Sequence, residues 1–440
     1  MSLYGAMMTG VAALTANSNA LSVASSNIAN VNTVGYKSAT NNFSTMLAAA
    51  GGTSDPSSAG VTATAGQNVT QQGLLTATSS NTDLAISGNG FFMVSPTAST
   101  TGSVEYTRAG SFTSDAAGNL KNANGLYLLG WKLDTSGNPP TNPSNLSLIN
   151  VNNLSGKAVA SSKIAVQANL QASATTVSTY NVSTNNMASG AVTPDFQRTI
   201  NVDDSQGGTQ PLAFSFVKTA ANTWAYEVSY QGTASNITGS NPIASGTMTF
   251  NADGSLANVV PTGGSGSPAS GSISISIPWS ATSGLSAQPL TVNMGTVGNT
   301  DGVTQYDTTS TLTSATVDGA VYGSVNGLSI ASDGTVSANF SNGLSQAVFK
   351  IPLATFANPD GLSETSGNAY TTTPASGTPI VNIANSGGAG TVNAKQLEGS
   401  TVDLATEFTN LITTQRAYSA ASRIVTTAST MLDQLLQMSH

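Results

Sequence analysis

A seven-residue apolar repeat at each end of the chain constrains this sequence more than any other feature. Toward the C-terminus the row is Leu404, Leu411, Tyr418, Val425 and Leu432, apolar throughout. Four residues after each member stand Phe408, Gln415, Ser422, Ser429 and Leu436, a mixed second row. A repeat sustained over about four heptads without Gly or Pro predicts a coiled-coil helix over 401–438. Asp403 and Glu407 fall in its first turns, where the helix dipole favours anions. The other end answers with Met7, Leu14, Leu21 and Ile28, flanked by Leu3 and Val11. The spacing predicts a helix over 2–31, about 45 Å long at 1.5 Å per residue. Asn30, Asn32 and Gly35 are its stop signals. Neither stripe can be buried alone in water, so each needs a partner. The two ends therefore pair with each other or with copies from neighbouring molecules. The competing reading of the first row is a helix packed on its own domain core.

Between the ends the periodicity changes from helical to strand-like. Residues 37–85 read as a connector, with Phe43, Met46 and Leu47 as a last helical turn before a break at Gly51–Pro56. Leu84–Ile86, the turn Gly88-Asn89-Gly90 and Phe91–Val94 read as strand, tight turn, strand. Further strands are expected at 163–170, 197–202, 212–217, 224–230, 247–250 and 272–277, with a flexible Gly/Ser loop over 263–268. Asp-Gly pairs at 253–254, 301–302, 318–319, 333–334 and 360–361 are hairpin-turn candidates. The order helix, connector, β, β, β, connector, helix is nearly mirror-symmetric. It predicts an α+β multidomain chain whose terminal helices form a coiled-coil stalk, with nested, mainly antiparallel β domains between them. The divisions are an N-terminal helix of an inner coiled-coil domain at 1–36 and a connector at 37–85. The first part of β domain 1 follows at 86–160, then an inserted β domain 2 at 161–290. The second part of β domain 1 is at 291–360, a connector at 361–398, and the C-terminal helix of the coiled-coil domain at 399–440.

Chemistry is harder to place. Charged residues are only 7% of 440, and the net charge of −8 comes without any Lys/Arg run, which argues against nucleic-acid binding. With no cysteine there is no disulfide, thiol nucleophile or Cys metal site. His440 is the only histidine and is the last residue, a poor place for a catalytic triad or a metal ligand. Asp203-Asp204 beside Ser205–Gly208 reads as a solvated turn rather than half of a calcium site. A paired-carboxylate glycosidase stays open on sequence alone. So does a β-rich adhesin. The reading is a non-enzyme without cofactor or metal. No apolar stretch is long enough to insert in a membrane, and the N-terminus lacks the basic region of a cleaved secretory signal.

Several stretches together resemble the flagellar rod and hook axial protein family. Ser26-Asn27-Ile28-Ala29-Asn30 with Asn32-Thr33-Val34-Gly35-Tyr36-Lys37 resembles its N-terminal signature. Ile86-Ser87-Gly88-Asn89-Gly90-Phe91-Phe92 and Tyr106-Thr107-Arg108-Ala109-Gly110-Ser111-Phe112 resemble the next two motifs. Leu397-Glu398-Gly399-Ser400-Thr401-Val402-Asp403-Leu404 and Gln415-Arg416-Ala417-Tyr418 resemble its C-terminal signature. Val34 stands where rod members often carry Pro, and Thr401 where Asn is common. The large inserted β region and the run Leu353–Leu362 are similar to the hook members in particular, some of which cross-link through a cysteine that is missing here.

The resemblance implies a structural subunit of the bacterial flagellar hook, a curved, flexible tube outside the cell, attached to the basal body, that passes motor torque from rod to filament. The alternative within the family is a distal-rod or junction-like protein. The resemblance also implies export without a cleaved signal, through the type III export apparatus. Its implied partners are other copies of the chain, the distal rod protein, the hook cap and the hook–filament junction proteins. On this reading the assembly interface is Met7, Leu14, Leu21, Ile28, Leu404, Phe408, Leu411, Tyr418, Val425 and Leu432. The motif positions expected to matter are Asn27, Ile28, Ala29, Asn30, Gly35, Tyr36, Gly88, Gly90, Phe91, Phe92, Gln415 and Arg416.

Overall fold

The computed structural model describes residues 3–48, 57–99, 102–134, 136–152, 154–262, 266–267 and 271–438. The expected break at Gly51–Pro56, most of the Gly/Ser loop at 263–268, His440 and the side chains of Leu3 and Leu436 lie outside the described residues. Helix α1 runs Leu3–Ala29 and helix α2 runs Leu404–Met438, close to the expected limits. Asp403 caps α2: its Oδ1 accepts the Thr406 amide at 3.0 Å, satisfying one of the otherwise orphaned first-turn donors. At the end of α1 the Asn30 side chain folds back, its Nδ2 donating to the Ser26 carbonyl at 2.9 Å. The chain separates into two compact units, one formed by 1–154, 327–339 and 345–440, the other by 155–326 with 340–344.

In the first unit α1 and α2 pack against each other. The contact is close because small residues line it. A Cβ on Gly10 would stand 2.8 Å from Val425 Cγ2, and Ala421 and Ala428 on α2 are buried. After α1 the chain forms a long antiparallel hairpin, Ala39–Ala48 with Ser57–Gln67, pairing Ala39↔Gln67 through Thr45↔Val61. The helical turn expected at Phe43–Leu47 is therefore a strand. Alternation across Thr40, Asn42, Ser44 and Val61, Ala63, Ala65 suits a ribbon with one face on α1 better than a helix.

The body of this unit is a sheet centred on Phe91–Ser95, which is buried on both faces. It pairs antiparallel with Glu105–Thr107, Tyr127–Lys132 and Pro352–Thr355, so residues far apart in sequence close one sheet. On one face Phe356 meets Tyr106 and Phe91 edge-on, with ring centroids 4.9 and 5.8 Å apart. On the other, Phe92 meets Phe112 at 5.8 Å. The expected hairpin across Gly88–Gly90 does not form. Leu84–Ser87 pairs with Thr391–Ala394, and Phe91–Ser95 turns into the main sheet. The segment 361–398 is likewise more than a connector: Ser363–Thr365, Ala369–Thr371, Ile380–Ile383, Thr391–Ala394 and Gln396–Glu398 are all strands.

The second unit packs two sheets. One is a five-stranded antiparallel meander, Phe196–Asp203, Thr209–Ala220, Thr223–Tyr230, Ala244–Phe250 and Leu256–Pro261, neighbours in sequence and in space. The other surrounds Lys163–Gln171, whose alternate residues Ile164, Val166, Ala168 and Leu170 are buried. That strand pairs parallel with Gln288–Asn293 and Val303–Tyr306 and antiparallel with Thr311–Val317. Its need for partners on both edges explains a corrected boundary. Residues 291–326, expected to return to the first β domain, complete the second unit instead. Trp224, Phe214, Phe216 and Tyr226 fill the space between the sheets. The segment after Gln171 covers the meander's other face, where the Glu227 carboxylate accepts the amides of Met187 and Ala188 at 3.2 and 2.8 Å.

Of the five Asp-Gly pairs, two make hairpins: Asp253-Gly254 joins adjacent meander strands and Asp333-Gly334 joins Val325–Ile330 to Thr335–Phe340. Asp301-Gly302 and Asp318-Gly319 link strands that do not pair with each other, and Asp360-Gly361 ends a short 3-10 turn. Here the aspartate side chain decides the local structure. Asp318 accepts the Ser162 and Lys163 amides at 2.7 and 2.8 Å and the Ser162 hydroxyl at 2.6 Å. Partial burial pushes this carboxyl up, but the three hydrogen bonds outweigh it and hold it below its ordinary 3.8. As pH falls, the unfolded chain takes up that proton first. The stabilisation is whole above pH 3.8 and is lost as pH falls through the lower native value. Asp318→Asn is therefore expected to lower the thermal midpoint at pH 7, with the gap to wild type closing below about pH 4. Circular dichroism melts across pH check this; a gap that is constant with pH contradicts it.

Candidate assembly surface and the buried junction beneath it

Four of the five family-like motifs converge at one place in the first unit, where Asn27 meets a residue 380 positions away. Asn27, near the end of α1, is 1% exposed and fully hydrogen-bonded. Its Nδ2 donates to the Ala39 carbonyl at 2.8 Å and to Glu407 Oε1 at 2.9 Å. Its Oδ1 accepts the Tyr36 hydroxyl at 3.1 Å and the Ala39 amide at 3.0 Å. One side chain thus ties α1, the turn after it, the hairpin and α2. Burial pushes the Tyr36 hydroxyl up from its ordinary value, keeping it a donor to Asn27.

Below Asn27 lies an ion cluster. Lys37 and Arg108 both pair with Glu398, Arg108 NH1 standing 3.2 Å from Glu398 Oε2, and all three side chains are almost completely buried. The carboxylate also accepts the Gly73 amide at 2.8 Å. Lys37 donates in addition to the Gln71 carbonyl, and Arg108 to the Gly88 carbonyl at 2.8 Å. The guanidinium lies 5.3 Å from the Phe91 ring centroid. Burial pushes the Lys37 ammonium below its usual range; Glu398 opposes that and Arg108 adds to it. Backbone bonds frame the cluster: the Gly35 amide to the Glu398 carbonyl at 2.8 Å, and the Thr401 amide to the Tyr36 carbonyl at 3.2 Å. Gly35 sits at φ +70°, and a Cβ there would stand 2.7 Å from the Ala109 amide nitrogen.

The motif residues divide accordingly. Asn27, Gly35, Tyr36, Gly90, Phe91 and Phe92 are buried at or beside the junction. Ile28 and Asn30 are half-buried, while Ala29, Gly88, Gln415 and Arg416 are exposed. Lys37, Arg108 and Glu398, which the sequence reading did not single out, are its electrostatic centre. The available signal was their scarcity: they are three of the five charged residues inside the motifs of a chain with 7% charge.

Above the junction, the apolar rows are placed as follows. Met7, Leu14, Leu21 and Ile28 are half-buried on α1, and Leu411, Val425 and Leu432 are half-buried on α2. Leu404, Phe408 and Tyr418 remain 40, 51 and 40% exposed. The row that accompanies Leu411 toward α1 is Glu407, Thr414, Ala421 and Ala428, three residues after each leucine-row position, rather than Phe408, Gln415, Ser422 and Ser429. A 3.6-residue helix brings both choices near one face, and the small side chains win where α1 approaches closely. Tyr4, Met8, Val11, Ile412, Ile424, Met431 and Leu435 are also exposed on the two helices, as are Phe43 and Met46 on the hairpin.

Comparison with known proteins covers the whole chain. Residues 7–37 match the family described as flagella basal body rod protein, and 394–438 the C-terminal part of the flagellar basal body rod FlgEFG proteins. Residues 85–183 match the flagellar hook protein FlgE/F/G D1 domain, and 169–320 the flagellar basal body protein FlaE D2 domain. The chain is 36% identical to the flagellar hook protein FlgE of Rhizobium meliloti and 32% identical to that of Caulobacter vibrioides, each over the full length of both chains. To the FlgE of Escherichia coli K12 it is 31% identical over 98% of this chain and 100% of the relative.

Asn27 offers a direct test of the junction. Asn27→Ala strands the Ala39 amide and carbonyl, the Tyr36 hydroxyl and Glu407, and is expected to cost about 1–3 kcal/mol. Asn27→Asp is expected to cost more, because it sets a carboxylate against Glu407 Oε1 and the Ala39 carbonyl. Urea unfolding of the purified protein measures both; an Asn27→Asp variant as stable as wild type contradicts this geometry.

Proposed function

The chain belongs to the flagellar hook protein family and is a structural subunit of the bacterial flagellar hook, not an enzyme; we propose that its paired terminal helices form the inner, coiled-coil layer of the hook tube. Membership carries self-polymerisation and association with other flagellar basal-body components. The observation that supports the helical inner layer is the apolar surface left after α1 and α2 have packed together. Phe408, Ile412, Ile424, Met431 and Leu435 on α2, with Tyr4 and Met8 on α1, stay in water in a single chain. Exposed apolar area on this scale is normally covered by a partner. Copies of the same chain are the partner a homopolymer supplies.

The nested arrangement of the chain gives the layers distinct roles. On this reading the unit holding both termini carries the inner contacts. A tube that bends while it rotates must lengthen along one side and shorten along the other. Apolar helix packing holds the inner layer. Outer surfaces rich in Ser, Thr and Asn and poor in charge make weak contacts that slide at low cost, so the tube acts as a universal joint passing torque from rod to filament. Its end partners are the distal rod protein, the hook cap during growth and the hook–filament junction proteins. Delivery is by the type III export apparatus.

Leu411 tests the inner layer. It is half-buried in the middle of α2, and Leu411→Ala is expected to cost up to about 2–5 kcal/mol per subunit, with Leu411→Asp worse because it also buries a carboxylate. Under polymerising conditions Leu411→Asp should stay in the supernatant after sedimentation while circular dichroism reports an intact β body. Thr414 is half-buried beside α1 and is not a neutral control; Ser419, exposed on α2, is. Ser419→Asp should pellet. If Leu411→Asp pellets like wild type, the terminal helices are not the inner contact of the polymer.

A further inference from the structure

The chain enters the second unit at Ser155 and leaves it at Asn326, and the tip 340–344 rejoins it. A pull along the chain therefore reaches this unit at its two ends, and those ends lie side by side. Lys157–Val159 pairs antiparallel with Ala320–Gly323, Lys157 opposite Gly323 and Val159 opposite Ala320. Further in, Ile164 stands opposite Val317 at the start of the antiparallel ladder between Lys163–Gln171 and Thr311–Val317. Force that separates two adjacent ends of an antiparallel pair falls on the outermost bonds first and opens them in turn, as a zipper opens. Neutral hydrogen bonds loaded one at a time resist poorly, because each is worth little net of water.

Two side chains stand where such opening would start, both within this unit. Asn342 bridges the entry and exit strands: its Nδ2 donates to the Lys157 carbonyl at 2.9 Å and to the Val321 carbonyl at 2.7 Å. Its Oδ1 accepts the Leu344 amide at 3.1 Å, which fixes the side chain in the tip. Behind it, between the short ribbon and the long ladder, comes Asp318. This exit-side carboxylate holds the entry side by three bonds, from the Ser162 and Lys163 amides and the Ser162 hydroxyl. Gly319 lets the two strands approach there, since a Cβ would collide with Ser161 Oγ. Hydrogen bonds to an ionised acceptor are roughly twice as strong as neutral ones. The entry strand is in turn bolted to the body of the unit. The Ser161 amide donates to the Asp203 carbonyl at 2.8 Å, and Ser161 Oγ accepts the Asp203 amide at 2.8 Å. Gln288 Nε2 donates to the Ser161 and Asp203 carbonyls at 2.8 and 2.9 Å.

We propose that Asp318 and Asn342 form a two-point staple that holds the entry and exit strands of the second unit together against tension. Asn342 takes the load first. Asp318 decides the outcome, because once its three bonds break only neutral ladder bonds remain between the two strands, and the ladder unzips. The proposal concerns the second unit alone and stands whether or not the terminal helices form the inner layer of a tube.

The test pulls on the second unit within the full-length chain. The sequence has no cysteine, so Ser155→Cys/Asn326→Cys, both at exposed positions, places two handles at the ends of the unit for optical tweezers. Held at constant force in neutral buffer, the Asp318→Ala chain is expected to open at least about tenfold faster than its parent, the size set by losing hydrogen bonds to a charged group. Ser162→Ala removes one of the three bonds and should fall between them; it carries the comparison should Asp318→Ala fail to fold. Asn342→Ala should also open faster. Asp301 is the matched control. It accepts the Thr296 amide and hydroxyl, each at 2.7 Å, in the connection between Gln288–Asn293 and Val303–Tyr306. Asp301→Ala should open at the parent's rate. Handles moved to the exposed positions Ala234→Cys/Ala252→Cys load the meander instead, and there Asp318→Ala should leave the rate unchanged. The staple is overturned if Asp318→Ala and Ser162→Ala both open at the parent's rate when pulled by the ends. It is also overturned if Asp301→Ala, or Asp318→Ala pulled at the meander, shows the same acceleration, because Asp318 would then contribute only ordinary stability.

Discussion

One carboxylate, Glu398, sits between two buried cations that belong to the opposite end of the chain, and the rest of the first unit depends on that arrangement. A buried ion pair adds little net stability over apolar packing of the same shape, but it tolerates no missing member. Lys37 fixes the turn after α1, Arg108 fixes the loop that precedes the central sheet strand, and Glu398 fixes the entry to α2. Asn27 adds a neutral layer above them with every hydrogen-bonding group satisfied. The two layers set the directions in which the helices leave the β body.

The helices themselves follow a different rule. Their closest approach uses Gly10, Ala421 and Ala428, and their large apolar side chains are half-buried or exposed. Small residues at the crossing bring the backbones together, and bulk is displaced to the outside, where it has no partner within one chain. The proposed inner layer makes these helices pack twice, first within the subunit and then between subunits. The second unit shows none of it. Most of its buried apolar residues lie between two sheets, with a smaller cluster on the meander's other face, and the outward positions of Lys163–Gln171, Ser272–Ile277 and Gln288–Asn293 are Ala, Ser, Thr, Asn, Gln, Lys and Pro.

Much of this was legible in the sequence, and the reasons for the rest are physical. Long heptad rows located both helices to within a few residues, and strands with alternating burial such as Lys163–Gln171 were visible from period two. The long hairpin over 39–67 was not, because its residues are small and polar and give neither period a clear signal. Gly88-Asn89-Gly90 looked like a hairpin turn, yet its flanking strands find partners about 300 residues away, a choice made by the closing sheet and invisible to local pattern. The limit of the inserted unit was set too early for the same reason: the edges of Lys163–Gln171 recruit strands through Val317. At the junction, motif resemblance pointed to the right stretches. Ranking within them favoured glycines and aromatics over Lys37, Arg108 and Glu398, whose importance appears only when three distant charges are seen to share one buried pocket.

The central claim is that the two ends of one chain pack on each other in the working polymer. The absence of cysteine from the sequence makes this directly measurable. Gly10 and Val425 face each other at the closest point of the two helices, where a Cβ on Gly10 would lie 2.8 Å from Val425 Cγ2. In a Gly10→Cys/Val425→Cys chain assembled into tubes and oxidised, the account predicts an internally bridged monomer on denaturing, non-reducing gels, shifted in mobility and restored by reductant. A ladder of covalent dimers and higher oligomers, or no cross-link at all, would contradict it.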